Sequence, residues 1–146
     1  MRAGEITRLP KLWVAQPLLC SPIATAVLAA LGRDDGLEAP AAGWNTPAKT
    51  GAEGTSIARP VREAEVVAAV IRSGGGAVRI SETRISAATL NLARVGLYVE
   101  PTCAQAAAAY EDLLRSGQIQ KGQTTVIVLT STGIKATPAI ATLVGG

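Results

Sequence analysis

Thr124-Thr125-Val126-Ile127-Val128-Leu129-Thr130-Ser131-Thr132-Gly133-Ile134-Lys135 is an apolar, β-branched run that breaks off in three hydroxyls and a glycine. It reads as a buried strand over Thr125–Leu129 that delivers Thr130, Ser131 and Thr132 to its C-terminal end. In open α/β sheets the loops diverge at that end and leave a crevice lined by backbone groups and short polar side chains. The hydroxyls are therefore candidate ligand contacts. The alternative is a Ser/Thr-rich turn that bonds its own backbone.

Outward from this run, strand and helix patterns alternate. Leu12–Ala15 suits a short strand ended by Pro17, which cannot donate to a ladder. Pro22 opens a helix through Ile23, Val27, Leu28 and Leu31, closed by Gly32. Arg33 to Pro60 is long and irregular, the kind of segment that in a compact domain is functional or disordered. Helical spacing returns at Val66, Val67, Val70 and Ile71, with Glu63 and Glu65 suited to the positive end of the dipole. Gly74-Gly75-Gly76 reads as a helix C-cap and turn before a strand at Ala77–Ile80. Ser81 is the expected N-cap of a helix with Ile85, Ala88, Leu92 and Val95 on one face. After Gly96, Pro101 and Thr102 begin a further helix through Ala106, Ala109, Tyr110 and Leu113, stopped by Gly117. The alanines from Ala106 to Ala109 would let this helix lie close to a sheet. The expected fold class is α/β, a mainly parallel sheet flanked by helices, in one domain over residues 1–146 with an irregular loop at 33–60.

Composition narrows the function. With 146 residues, 48% hydrophobic and 17% charged, the chain can bury a core. Its net charge of +3 comes from 14 basic and 11 acidic residues scattered along the sequence. No basic block with interleaved aromatics tracks a nucleic-acid backbone, so no nucleic-acid partner is expected. Met1 to Glu5 leads into no long apolar core, and the expectation is a cytoplasmic, reduced protein without a membrane partner. Cys20 and Cys103 are read as buried thiols. The absence of histidine and of any Cys-x-x-Cys pair removes His-based triads and the usual zinc sites, so no metal is expected.

Several motifs, in order, carry a family resemblance. Leu129-Thr130-Ser131-Thr132-Gly133-Ile134-Lys135 resembles the Leu-Thr-Gly-x-Gly-Leu-Lys end of the last core strand in fold type II pyridoxal-phosphate enzymes, above all threonine synthases, with Ser131 in place of a glycine. Val99-Glu100-Pro101-Thr102-Cys103-Ala104 is similar to their Glu-Pro-Ser-Ser-Ala helix entry. Gln16 with Cys20-Ser21-Pro22-Ile23 is similar to their Val-Gln-x-x-x-Cys-x-Pro-Ile segment. Ala52-Glu53-Gly54, Arg59-Pro60-Val61-Arg62 and Ser73-Gly74-Gly75 also fall in family order. The similarity runs from about Leu9 to the C-terminus.

The resemblance implies the C-terminal part of the large domain of such an enzyme, a lyase making threonine from a phosphorylated homoserine, or a related serine/threonine dehydratase. It implies pyridoxal phosphate as cofactor, an amino acid as substrate, and an N-terminal partner half or a homo-oligomer to complete the unit. It places the Thr130 hydroxyl beside the cofactor's ring nitrogen, where a neutral group leaves the ring a milder electron sink. Ser131 and Gly54 would line the same pocket. Glu100 matches the family glutamate, with a charge favoured by a helix dipole as the alternative. Arg59 and Arg62 could meet a phosphate or carboxylate, or simply be solvated.

What the resemblance does not supply is equally specific. Lys11, Lys49, Lys121 and Lys135 occupy none of the family's Schiff-base position, and the single glycine run is a turn and no phosphate loop. No catalytic residue is therefore assigned. A chain without chemistry of its own, binding a partner chain, is the competing reading.

Overall fold

In the computed structural model, residues 6–38 and 49–145 are described. Met1 to Glu5 and part of the expected 33–60 loop lie outside them. The chain forms β1 (Trp13–Pro17), α1 (Pro22–Ala30), a 3-10 turn (Glu53–Thr55), α2 (Glu63–Ser73), β2 (Gly76–Ile80), α3 (Glu82–Arg94), α4 (Pro101–Arg115), a second 3-10 turn (Gly133–Ala136) and α5 (Thr137–Gly145).

The two strands pair in parallel, Val14 opposite Ala77 and Ala15 opposite Val78. Because successive side chains of a strand point to opposite faces, the pairing sorts the core into two layers. Val14 and Ala77 pack with Ala24, Val27, Leu28 and Val70 of α1 and α2. Ala15, Val78 and Ile80 pack with Ile85 and Ala88 of α3 and with Ala104 and Ala108 of α4. The fold is thus α/β, a parallel sheet between two helix layers. Ala104 and Ala108, both fully buried, give α4 its close approach. Of the expected face Ala109 and Leu113 are buried, whereas Ala106 and Tyr110 are only half-buried.

The glycine run behaves as its sequence implies. Gly74 takes φ +71 at the C-cap of α2. A Cβ at Gly75 would stand 1.8 Å from the Leu12 carbonyl oxygen, and one at Gly76 would stand 2.7 Å from the Trp13 ring. Where Leu12, just before β1, meets the turn between α2 and β2, only a bare backbone fits at Gly75.

Polar groups fix the layer of α1. Ser21 occupies its N-cap but makes no capping bond. Gln16 of β1 supplies it instead, Oε1 accepting from the Ala24 N–H at 2.8 Å. Opposite Gln16 in the ladder is Arg79, whose side chain is 5% exposed. Its guanidinium donates to both oxygens of Asp35 and to the Leu37 carbonyl. The hydrogen bond from Arg79 holds the Asp35 carboxyl below the usual carboxylate range, and the carboxylate holds Arg79 protonated. Both cysteines are free and buried. Burial pushes the Cys20 thiol above its ordinary value, partly offset by hydrogen bonds from Ser56 and Ile57.

Two expectations require correction. Thr125–Leu129 forms no strand, and among the described residues the sheet has two strands, β1 and β2. From Gln123 to Thr130 the chain carries no regular structure, with Val126 82% and Val128 66% exposed. Leu129 still packs against the core of α3 and α4. A β-branched run favours extension, but a strand exists only where a neighbour takes its N–H and C=O groups, and among the described residues none does. On α3, Val95 is 73% exposed, and Thr89 holds the buried position instead. Ser81 sits at the N-cap as expected, yet its hydroxyl bonds Thr83 Oγ1 at 3.0 Å and no backbone amide.

Candidate functional site

Helix α4 begins where Glu100, in extended conformation, occupies the N-cap and Pro101 the first helical position. Proline there has the right φ and no N–H to satisfy. The Glu100 carbonyl accepts from Cys103 and Ala104. The next two side chains, Thr102 and Cys103, project from the helix start toward two different loops.

Thr102 holds the Glu53–Thr55 turn. Its Oγ1 accepts from the Gly54 N–H at 3.1 Å, and a Cβ at Gly54 would meet Thr102 Cγ2 at 3.0 Å. The turn is secured elsewhere too. Thr50 Oγ1 donates to Glu82 at 2.7 Å and the Gly51 N–H donates to the same carboxylate at 2.8 Å. Gln105 donates to Thr55 Oγ1 at 3.2 Å.

Cys103 holds the loop after the extended run. Its sulfur lies 3.3 Å from Thr130 Oγ1, accepts from the Ser131 N–H at 3.0 Å and reaches the Ser131 carbonyl at 3.4 Å. Beyond this contact Thr132 forms an antiparallel bridge with Val99, and the Gly133 N–H donates to the Tyr98 carbonyl at 2.9 Å. Ser131 Oγ is buried without a hydrogen-bond partner among the described residues.

Of the sequence-derived candidates, Gly54 lines an open cleft of about 870 Å³ whose wall also includes Glu53, Glu100, Thr102, Lys49 and Lys135. Thr130 and Ser131 are not in that wall. They sit against the far side of the same helix turn, Thr130 exposed and Ser131 half-buried. The first turn of α4 therefore joins the two candidate loops, Gly54 through Thr102 and Thr130 with Ser131 through Cys103. Sequence reading marked Cys103 only as a buried thiol and left Thr102 and the cleft lysines unassigned. The signal was the Glu-Pro-Thr-Cys segment itself, where adjacent short polar side chains open a helix.

Arg62 stands apart from the cleft, 77% exposed and 3.6 Å from Glu65. Arg59 is exposed. Arg84 ties α3 to α4 through Asp112 at 2.7 Å and Glu111 at 3.1 Å. Among the described residues no group of three or more Cys, Asp or Glu side chains is placed to hold a metal ion, and no helix is long and apolar enough to cross a membrane.

A sequence model of the family described as pyridoxal-phosphate dependent enzyme matches residues 1–131. A search of curated proteins finds no match.

Proposed function

Since the chain belongs to the pyridoxal-phosphate dependent enzyme family, we propose that it is the C-terminal portion of a threonine synthase-like lyase, acting on an amino-acid substrate in the cytoplasm once an N-terminal half completes it. The observation that carries this reading is the double attachment at the start of α4. Thr102 and Cys103 bring the Gly54 turn and the Thr130 loop to one helix turn, and both loops resemble family segments that flank the cofactor. The cofactor supplies an electron sink for a substrate carbanion.

The residues present fit one edge of such a group and not the whole. Thr130 offers a hydroxyl for a ring nitrogen, and Gly54 a bare backbone for close approach. No cradle for a phosphate is formed by the glycine run, because Gly75 and Gly76 are in contact with Leu12 and Trp13. No lysine matches the family's Schiff-base position. The chain alone is accordingly proposed to be inactive, with no catalytic step assigned to it. The unformed Thr125–Leu129 strand supports the same reading, since a stretch suited to a sheet interior stands without neighbours. Dehydratase-like chemistry is the nearest alternative within the family. A noncatalytic domain that binds a partner chain is favoured by the same missing phosphate cradle.

The test is complementation. The chain is co-expressed with the product of a neighbouring reading frame that carries the missing half, and cofactor binding is followed by visible absorption. The expected result is absorption from the complex and none from the chain alone. In that complex Thr130→Val should weaken cofactor binding by on the order of 1 kcal/mol, the worth of one neutral hydrogen bond. Cofactor affinity identical to wild type would remove Thr130 from the site.

A further inference from the structure

Cys103 is 2% exposed, and among the described residues its three sulfur hydrogen bonds fall on two consecutive residues, Thr130 and Ser131. A thiol is a weak donor and weak acceptor with a single proton. Here the sulfur accepts the Ser131 N–H at 3.0 Å, leaving that proton two acceptors within reach, Ser131 O at 3.4 Å and Thr130 Oγ1 at 3.3 Å. The extended run leading into this loop pairs with neither strand, so no ladder fixes where Thr130 ends up. Its attachment to the helix layer comes through the sulfur, through Leu129 one residue before it, which packs on the core of α3 and α4, and, two residues on, through the Thr132 bridge to Val99.

We propose that Cys103 is a positioning residue that sets both the place and the polarity of the Thr130 hydroxyl. When the thiol proton goes to the Ser131 carbonyl, the Thr130 hydroxyl donates to the sulfur and turns its lone pairs outward as an acceptor. When the thiol proton goes to Thr130 Oγ1, the hydroxyl proton faces outward as a donor, the form an unprotonated ring nitrogen requires. A residue on α4 thereby governs what the loop offers to a ligand without touching the ligand. The functional consequence rests on the reading of Thr130 as the cofactor-facing group, but the positioning itself is a property of the chain alone.

Two measurements on the isolated chain decide it. The first is amide exchange at Ser131. Cys103→Ala removes the acceptor and should speed exchange there about fivefold, the equilibrium weight of one neutral hydrogen bond. Cys103→Ser keeps an acceptor and should restore protection, whereas Cys20→Ala, which removes the other buried thiol, should leave Ser131 unchanged. Unaltered exchange in Cys103→Ala, or equal acceleration in Cys20→Ala, would overturn the proposal.

The second is the Raman S–H stretch of Cys103 in a Cys20→Ala background. Thr130→Val should shift that band by removing the hydroxyl partner, and an unmoved band would overturn the assignment of polarity. Neither readout requires the cofactor. If both succeed while Thr130→Val leaves cofactor affinity in the complemented enzyme unchanged, the reading of Thr130 as the cofactor-facing group fails and the positioning role of Cys103 stands.

Discussion

Asp35 shows how one carboxylate can decide the stability of a layer. Its pKa is lowered in the folded chain by the hydrogen bond from Arg79, whereas unfolded it titrates near 3.9, the ordinary aspartate value. The stabilisation is therefore fully present above about pH 4 and is lost as the pH falls through the folded value. Asp35→Asn should flatten this acid limb in urea midpoints measured from neutral pH to about pH 2. At neutral pH the same change leaves the Arg79 guanidinium, 5% exposed, without its counter-charge. The expected cost is about 3 kcal/mol, the low end for breaking a buried pair, because the aspartate is partly in water. Equal acid slopes for the variant and the wild type would place the pair's contribution elsewhere. None of this was visible in the sequence, where Asp35 is one acidic residue in an irregular stretch and Arg79 interrupts an otherwise apolar strand.

Among the elements, α1 is secured from outside itself. Gln16→Leu, similar in bulk and apolar, should leave the Ala24 N–H buried and unpaired at a cost of about 1–3 kcal/mol, measured by urea unfolding. Stability equal to wild type would show that another group takes over the cap. The element boundaries themselves were legible because proline and glycine punctuate them: Pro22 and Pro101 start helices, while Gly74 and Gly96, both at positive φ, follow their ends. Core faces were legible where periodicity alone decides, as for Ile85 and Ala88. Val95 escaped because it is the C-cap of α3, where the chain has begun to leave the helix and spacing no longer fixes a face. The clamp at Thr102 and Cys103 was illegible for a different reason. Its partners lie 48 and 27 residues away, and no local pattern records which distant loop a side chain will meet.

For the molecule as a whole, the feature without a partner in the sheet is the extended run before Thr130. Sequence chemistry identified it as sheet material, and its composition is still that of a strand; what it lacks is a neighbour, which no reading of one segment supplies. An uncovered, charge-free, β-branched stretch is a template for pairing with other chains. The isolated protein is therefore expected to associate, and Val126→Lys with Val128→Lys, at positions 82% and 66% exposed, should shift it toward monomer in sedimentation velocity. Undiminished association in that double variant would move the adhesive surface elsewhere.

The contact of Leu12 with the turn between α2 and β2 has a further consequence, in terms of sequence space. With the Leu12 carbonyl oxygen only 1.8 Å from where a Cβ would be, position 75 has an alphabet of one letter. No compensating change of side chain elsewhere can widen it, because the obstacle is backbone. A relative that kept this pairing of strands would have to keep that glycine however far the rest had drifted. One that lost it must have moved the entry to its first strand.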